Sequence, residues 1–67
     1  MEVDVPKLKE MREEAVLSQR ELARMAKLAY GTVWRIENGF SEVHPATIRK
    51  LARVLGVEPK ELVKRGG

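Results

Sequence analysis

The stretch AYGTVWRIENGF, residues 29–40, brings a phenol, an indole and a guanidinium together at helical spacing. On a wheel of roughly 100° per residue, Ala29, Val33 and Ile36 define an inner side. Gly31, Trp34, Arg35 and Asn38 then gather on the outer side, with Tyr30 at the boundary near the N-terminal end. An indole and a guanidinium on the water side of so short a helix need something to touch. The chemistry that fits is a nucleic-acid duplex. An α-helix enters the DNA major groove, and its first turns reach base edges. There an arginine makes a two-pronged bond to guanine, and aromatic rings touch thymine methyls or sugars. Gly31 lets the backbone approach closely, at a cost of about 0.5–1 kcal/mol in helix stability relative to alanine.

Catalysis finds no comparable support. The chain has no cysteine, and its one histidine, His44, sits beside a proline and reads as a loop or cap residue. The carboxylates fall mostly on exposed helix faces with lysines or arginines nearby, and no glycine-rich phosphate loop is present. Nothing places a nucleophile beside a base. No enzyme activity, no cofactor and no metal are expected. The net charge of +3 and the isoelectric point of about 9.6 agree with a nucleic-acid partner. They decide little alone, because 34% charged residues of mixed sign also describe an ordinary surface. No apolar run approaches the roughly 20 residues that span a bilayer, and no signal segment opens the chain. No membrane association and a cytoplasmic location are expected.

The elements that must hold this face read as five short helices, without internal repeat, low-complexity tract or strand-like alternation. The first covers about residues 5–15, capped by Asp4, with Pro6 tolerated in its first turn. Leu8, Met11, Arg12 and Ala15 share one of its faces, so Arg12 is a misfit in an otherwise apolar stripe. The second opens with Ser18-Gln19-Arg20-Glu21, an S-x-x-E capping box, with Leu17 as staple. Leu22, Ala23 and Ala26 point inward, and Lys27-Leu28 ends the helix. A connection of about three residues leads to the third helix, which forces a steep crossing with the apolar sides facing each other. Asn38-Gly39 stops that helix, because Gly39 suits the left-handed backbone of a helix end.

After a loop at 40–44, Pro45 starts a fourth helix with Ile48, Leu51, Ala52 and Leu55 on one face, closed by Gly56. Pro59 starts a fifth, short helix with Leu62 and Val63 inward, and residues 64–67 read as a frayed, solvated tail. The stripes share one core: Leu8, Leu17, Leu22, Ala26, Leu28, Val33, Ile36, Ile48, Leu51, Leu55, Val57 and Leu62. Sixty-seven residues leave room for one all-α domain spanning 1–67. A chain this short buries only about 60% of its unfolded surface, so the core is thin and no disulfide supports it.

At this point a family is visible. Ser18-Gln19-Arg20-Glu21-Leu22-Ala23, Leu28 and Thr32-Val33-Trp34-Arg35-Ile36-Glu37-Asn38-Gly39 resemble the helix-turn-helix family of phage repressor and Cro proteins, the XRE family. Pro45, Ile48, Leu51-Ala52 and Leu55-Gly56-Val57 are similar to its fourth helix and exit. The resemblance spans about residues 7–64 and implies a compact five-helix, lambda-repressor-like DNA-binding domain with its helix-turn-helix at about 18–37. It also implies roles. Gln19 matches a glutamine that contacts a phosphate and braces the recognition helix; Arg20 lies beside it. Tyr30, Gly31 and Arg35 stand where family members read bases, and Thr32 and Asn38 on the phosphate side. Arg12 and Glu37 match an arginine–glutamate pair joining the first helix to the end of the third, which explains the misfit of Arg12.

Several positions depart from the family pattern. Lys27 replaces the usual turn glycine, Ala29 the usual Ser or Thr cap, and Trp34 a small residue. Trp34 therefore has three readings: DNA contact, packing on a neighbouring helix, or a subunit contact. The loop 40–44 has no lysine or arginine, which implies either a modest affinity or phosphate contacts from Arg20, Arg24 and Lys27. The expected partners are double-stranded DNA and a second copy in a homodimer, and the expected function is a transcriptional repressor. The alternative is a protein-interaction module, such as an antitoxin or adaptor, using Tyr30, Trp34 and Phe40 as an aromatic patch.

Overall fold

The protein is described here by a computed structural model covering residues 1–65; Gly66 and Gly67, the end of the expected tail, lie outside the described residues. The chain runs α1 (Val5–Glu14), α2 (Gln19–Met25), α3 (Tyr30–Glu37), α4 (Pro45–Leu55) and a single 3-10 turn (Pro59–Leu62). Among the described residues the fold is all-helical, with four α-helices rather than five. The fifth segment is only a 3-10 turn because the chain becomes extended again at Val63 (φ −92°, ψ 132°). Short segments of this kind favour the tighter turn.

The starts and stops follow from local chemistry. The Asp4 carboxylate accepts from the Lys7 N–H at 3.2 Å. Ser18 Oγ accepts from the Glu21 N–H at 3.0 Å while Glu21 Oε1 accepts from the Ser18 N–H at 2.8 Å, so the capping box is closed. The bond from the Ser18 backbone, then that from its side chain, holds the Glu21 carboxyl below the usual carboxylate range. A depressed carboxyl stabilises the fold above its unfolded pKa and loses that contribution as pH falls through the folded value. A second such bond, Glu58 N–H to Glu61 Oε2 at 2.9 Å, starts the 3-10 turn. It escaped the sequence reading although the spacing is the same.

The core is Val3, Leu8, Leu22, Ala23, Ala26, Val33, Ile36, Ile48, Leu51, Ala52 and Leu62. Leu17, Leu28, Leu55 and Val57 pack against it but stay half-buried, as do Met11 and Val63. Val3 is the unexpected member. It belongs to a strap, residues 1–4, whose backbone ties two distant parts together. On one side Val3 N–H donates to Ser41 C=O and the Val43 N–H to Met1 C=O, both at 2.8 Å. On the other, Asp4 N–H donates to Leu62 C=O and Lys64 N–H to Glu2 C=O, also at 2.8 Å. Lys64 is thus held in place rather than frayed.

One polar cluster crosses this interior. Glu37, the last residue of α3, has a side chain only 1% exposed. Arg12 Nε donates to its Oε2 at 2.7 Å and Arg12 Nη2 to its Oε1 at 3.1 Å. Gln19 Nε2 adds a bond to Oε1 at 2.9 Å, and Arg12 Nη1 reaches Leu17 C=O at 2.8 Å. The bond to Glu37 raises the Arg12 guanidinium above its usual pKa against the opposing effect of burial. α1, the α1–α2 turn, α2 and α3 therefore meet at one carboxylate. Removing one partner of a buried, hydrogen-bonded ion pair strands the other. Arg12→Ala is expected to lower unfolding free energy by about 3–5 kcal/mol in urea titrations; a loss under about 1 kcal/mol would show that the carboxylate does not depend on it.

Two turns carry side chains in the left-handed region: Val16 (φ 56°) between α1 and α2, and Lys27 (φ 58°) between α2 and α3. For Lys27 this is the penalty that replacing glycine implies. For Val16 nothing in the sequence announced it, and a β-branched residue is among the least suited to that conformation. Val16 is 85% exposed, so no packing is lost by removing it. Val16→Gly and Lys27→Gly are each expected to raise stability by about 1 kcal/mol in denaturant titrations. Unchanged or lower midpoints would contradict the strain.

Candidate nucleic-acid interface

α3 is an eight-residue helix that could not stand alone. Ala29 occupies its N-cap without a side-chain bond, as alanine must, and the end is closed by Asn38 and by Gly39 at φ 104°. Asn38 Nδ2 donates to Trp34 C=O at 2.8 Å, so this amide caps its own helix. Only Val33, Ile36 and Glu37 are buried. The four-residue connection 26–29, one longer than the sequence suggested, lays α3 against α2, the most extensive helix pairing in the fold.

The rest of α3 faces outward. Tyr30 is 43% and Trp34 44% exposed. Gly31 and Arg35 are exposed as well, and Thr32 is half-buried. A Cβ built on Gly31 would find no atom within 4 Å beyond its chain neighbours and the backbone of its own helix. Trp34 is thus partly covered and partly open, which leaves its three readings standing, and Gly31 has open space above it. Arg20 lies with its Cζ 4.9 Å from the centre of the Tyr30 ring, which joins the start of α2 to the start of α3. Arg35 lies 6.0 Å from the Phe40 ring at the other end. Tyr30, Trp34 and Phe40 are thus all exposed, with a guanidinium near two of the three rings.

The structure thus brings Arg20, Tyr30, Gly31, Trp34 and Arg35 to the surface and separates them from the buried pair Arg12–Glu37. Gln19 is half-buried with its amide on Glu37, at the boundary between the two groups. The charge balance is uneven. Glu37 is covered, which leaves Arg35 as the exposed charge of α3, and Arg20, Arg24 and Lys27 on α2 and the turn after it are exposed too. Glu21, the exposed acid in the same stretch, is bonded into the cap of α2. A groove between α3 and the start of α4 is lined by Thr32, Arg35, Phe40, His44 and Thr47. Thr47 drew no attention in the sequence, because a lone threonine in a first helical turn carries no signal. Among the described residues no group of acidic and histidine side chains could hold a metal ion, and no helix is long and apolar enough to cross a membrane.

Known proteins agree with this geometry. The helix-turn-helix family HTH_3 matches residues 8–62. Comparison with curated proteins returns no match. Among solved structures, the restriction-modification controller protein C.AhdI from Aeromonas hydrophila is similar at 37% identity and a TM-score of 0.80, over 85% of this chain and 86% of that one. A mutant of hydroxyethylphosphonate dioxygenase is similar at 25% identity and a TM-score of 0.86 over 100% of this chain, which spans only 14% of the enzyme's length. The match over residues 8–62 covers α1 to the 3-10 turn: the chain belongs to the XRE family of helix-turn-helix DNA-binding transcription regulators.

Proposed function

We propose that the protein is a repressor that inserts residues 29–37 into the major groove of double-stranded DNA. One observation carries the reading: the face of Tyr30, Gly31, Trp34 and Arg35 is left uncovered by the protein itself. Gly31 sharpens it. The position lies inside a helix, has ordinary backbone angles and has open space where a side chain would go. Alanine would fit and would stabilise α3, so the fold offers no reason for glycine. Close approach to a ligand supplies one.

In this reading Arg35 pairs with a guanine edge, and Tyr30 and Trp34 touch apolar base substituents and sugars. Gln19, Arg20, Thr32 and Asn38 are the phosphate-side groups that set register along the backbone. Arg24 and Lys27 add charge from α2 and the turn. One module reads few base pairs, so useful specificity needs two copies on a two-fold axis, with half-sites about 34 Å apart. The apolar surface between α4 and the 3-10 turn, with Pro45, Ile48, Pro59 and Val63, is the candidate for the contact between copies. Repression follows when such a dimer occupies a promoter. C.AhdI is described as a controller protein, which suits the same regulatory class.

Selection of bound sequences from a random duplex pool is expected to enrich a two-fold site. On that site, Arg35→Ala relaxes base preference at one position per half-site, whereas Gln19→Ala weakens all sequences alike. Full operator affinity in both variants would refute groove insertion. Binding also falls steeply with added salt, because each neutralised phosphate releases counterions; a salt-independent affinity would favour an apolar protein partner instead. Gly31→Ala separates fold from function. It is expected to raise unfolding free energy by about 0.5–1 kcal/mol while weakening the operator complex. A variant that gains stability and binds as well as the parent removes the case for close approach.

A further inference from the structure

We propose that Asn38-Gly39 is a self-modification site, at which the chain converts its one asparagine to aspartyl and isoaspartyl and so loosens the end of α3. Asn38 is the single asparagine of the sequence. Asn38 and Gly39 are both exposed, and Gly39 lines an open groove, so water reaches the pair. The chemistry needs water alone. A base in solvent takes the proton of the Gly39 N–H, and the nitrogen attacks Asn38 Cγ. The new N–C bond closes a cyclic imide, the Cγ–Nδ2 bond breaks, and the amide nitrogen takes up a proton and leaves as ammonia. Water then opens the ring. Addition at Cγ gives aspartate. Addition at the main-chain carbonyl of residue 38 gives isoaspartate, with the backbone running through the side chain. One water is consumed and one ammonia released, and nothing is oxidised or reduced.

Glycine leaves its own nitrogen open to this closure, because it carries no Cβ to shield it. The fold needs glycine there for another reason, since Gly39 has φ 104°. The helix stop and the reactive pair are therefore the same two residues. α3 also holds both reacting groups back. Asn38 Nδ2 donates to Trp34 C=O at 2.8 Å, and the Gly39 N–H donates to Ile36 C=O at 3.2 Å. Both bonds lie at the exposed end of a short helix, where local opening costs least. Both must open, and Asn38 must turn from its ψ of 18°, before the nitrogen faces Cγ. Fraying of the last turn of α3 thus sets the rate. The product cannot restore what it replaced. A carboxylate has no N–H for Trp34 C=O, and it lies where the helix dipole is already negative. Isoaspartate lengthens the backbone just before Gly39. That displaces the Phe40 N–H from Arg35 C=O, where it now donates at 2.8 Å, and moves the Phe40 ring from the Arg35 guanidinium. The covalent step does not depend on groove insertion. Its effect on DNA binding rests on that reading, in which Asn38 faces a phosphate.

The folded protein is incubated at physiological temperature in mildly alkaline buffer, beside the same protein unfolded in urea. Intact mass and isoaspartate mapping follow residue 38 with time. The folded parent is expected to convert about tenfold more slowly than the unfolded chain, the hold of two exposed hydrogen bonds. Asn38→Gln, whose amide lies one carbon further out, keeps its mass. Converted protein, and Asn38→Asp made directly, are expected to unfold about 4–8 °C below the parent, the effect of losing one helix-end bond. On the selected two-fold duplex they bind about fivefold less tightly per copy, the effect of one like charge near a phosphate in water. The affinity of Asn38→Gln, whatever its starting value, does not decline over the same incubation. Failure of the folded protein to convert overturns the site, and equal rates in folded and unfolded chains overturn the hold of α3 on it. A converted protein that unfolds with the parent overturns the loosening of the helix. A parent that enriches no duplex removes groove insertion and leaves the conversion, read by mass and by unfolding, standing.

Discussion

A carboxylate at the C-terminal end of a helix is badly placed, because the helix dipole presents partial negative charge there. Glu37 is in that position and is also buried. Both penalties are offset by Arg12, whose guanidinium grips the carboxylate through two nitrogens, and by Gln19, which donates to the same oxygen as Arg12 Nη2. Among the described residues no buried side-chain nitrogen or oxygen is left without a partner. The consequence is geometric. The guanidinium is planar and its donors form a fixed fork, so α3 cannot rotate about its axis without breaking the pair. Rotation is the freedom that must be removed if the outward side chains are to keep one fixed orientation. An apolar residue at position 37 would bury as well but would leave that angle to packing alone.

The need for such a device follows from how little else holds α3. Eight residues are too few to form a stable helix in isolation, the N-cap makes no side-chain bond, and Gly31 weakens the first turn. Its inner side offers Val33 and Ile36 as apolar anchors. Giving more of the helix to the core would improve the anchoring, but it would consume the outward face. The fold resolves this by fixing the helix from its ends. Arg20 on the Tyr30 ring holds the beginning, and the Arg12–Glu37–Gln19 cluster and Gly39 hold the end. The strap at 1–4 secures the loop that follows, through bonds to Ser41 and Val43.

Much of this could be read in the sequence where the signal is local. The capping box, the apolar stripes, the glycines after α3 and α4, and the outward side of residues 30–35 all depend on neighbours within a few positions. The misfit of Arg12 was visible for the same reason, but its partner lies 25 residues away, and only resemblance to a family supplied it. The losses are non-local or unfavourable. Val3 enters the core because two distant backbone segments accept the strap, which no periodicity of four residues can announce. Val16 sits in a left-handed turn that its own preference opposes, so propensity pointed the wrong way. That Gln19 braces the recognition helix came from the resemblance as well, and its acceptor, Glu37, was not legible because a glutamine at the start of a helix has many possible partners. Leu17, Leu28, Leu55 and Val57 belong to the right stripes, but a thin domain has too little interior to cover them fully.

The likeness to a stretch of a dioxygenase shows how far the fold alone can carry a functional conclusion. The same arrangement accounts for 14% of that enzyme's length, so the helical frame is a carrier and not an activity. What distinguishes this chain is the residues standing on the frame. A glycine with room for a methyl group, a half-exposed indole and an arginine near a phenylalanine ring cost the free protein stability or solvation, and none belongs to its core. Features that a fold tolerates rather than needs must be accounted for outside it. Here they stand on the outward side of one helix, and the exposed Arg20, Arg24 and Lys27 add positive charge from α2 and the turn after it, which suits the DNA that this family of regulators binds.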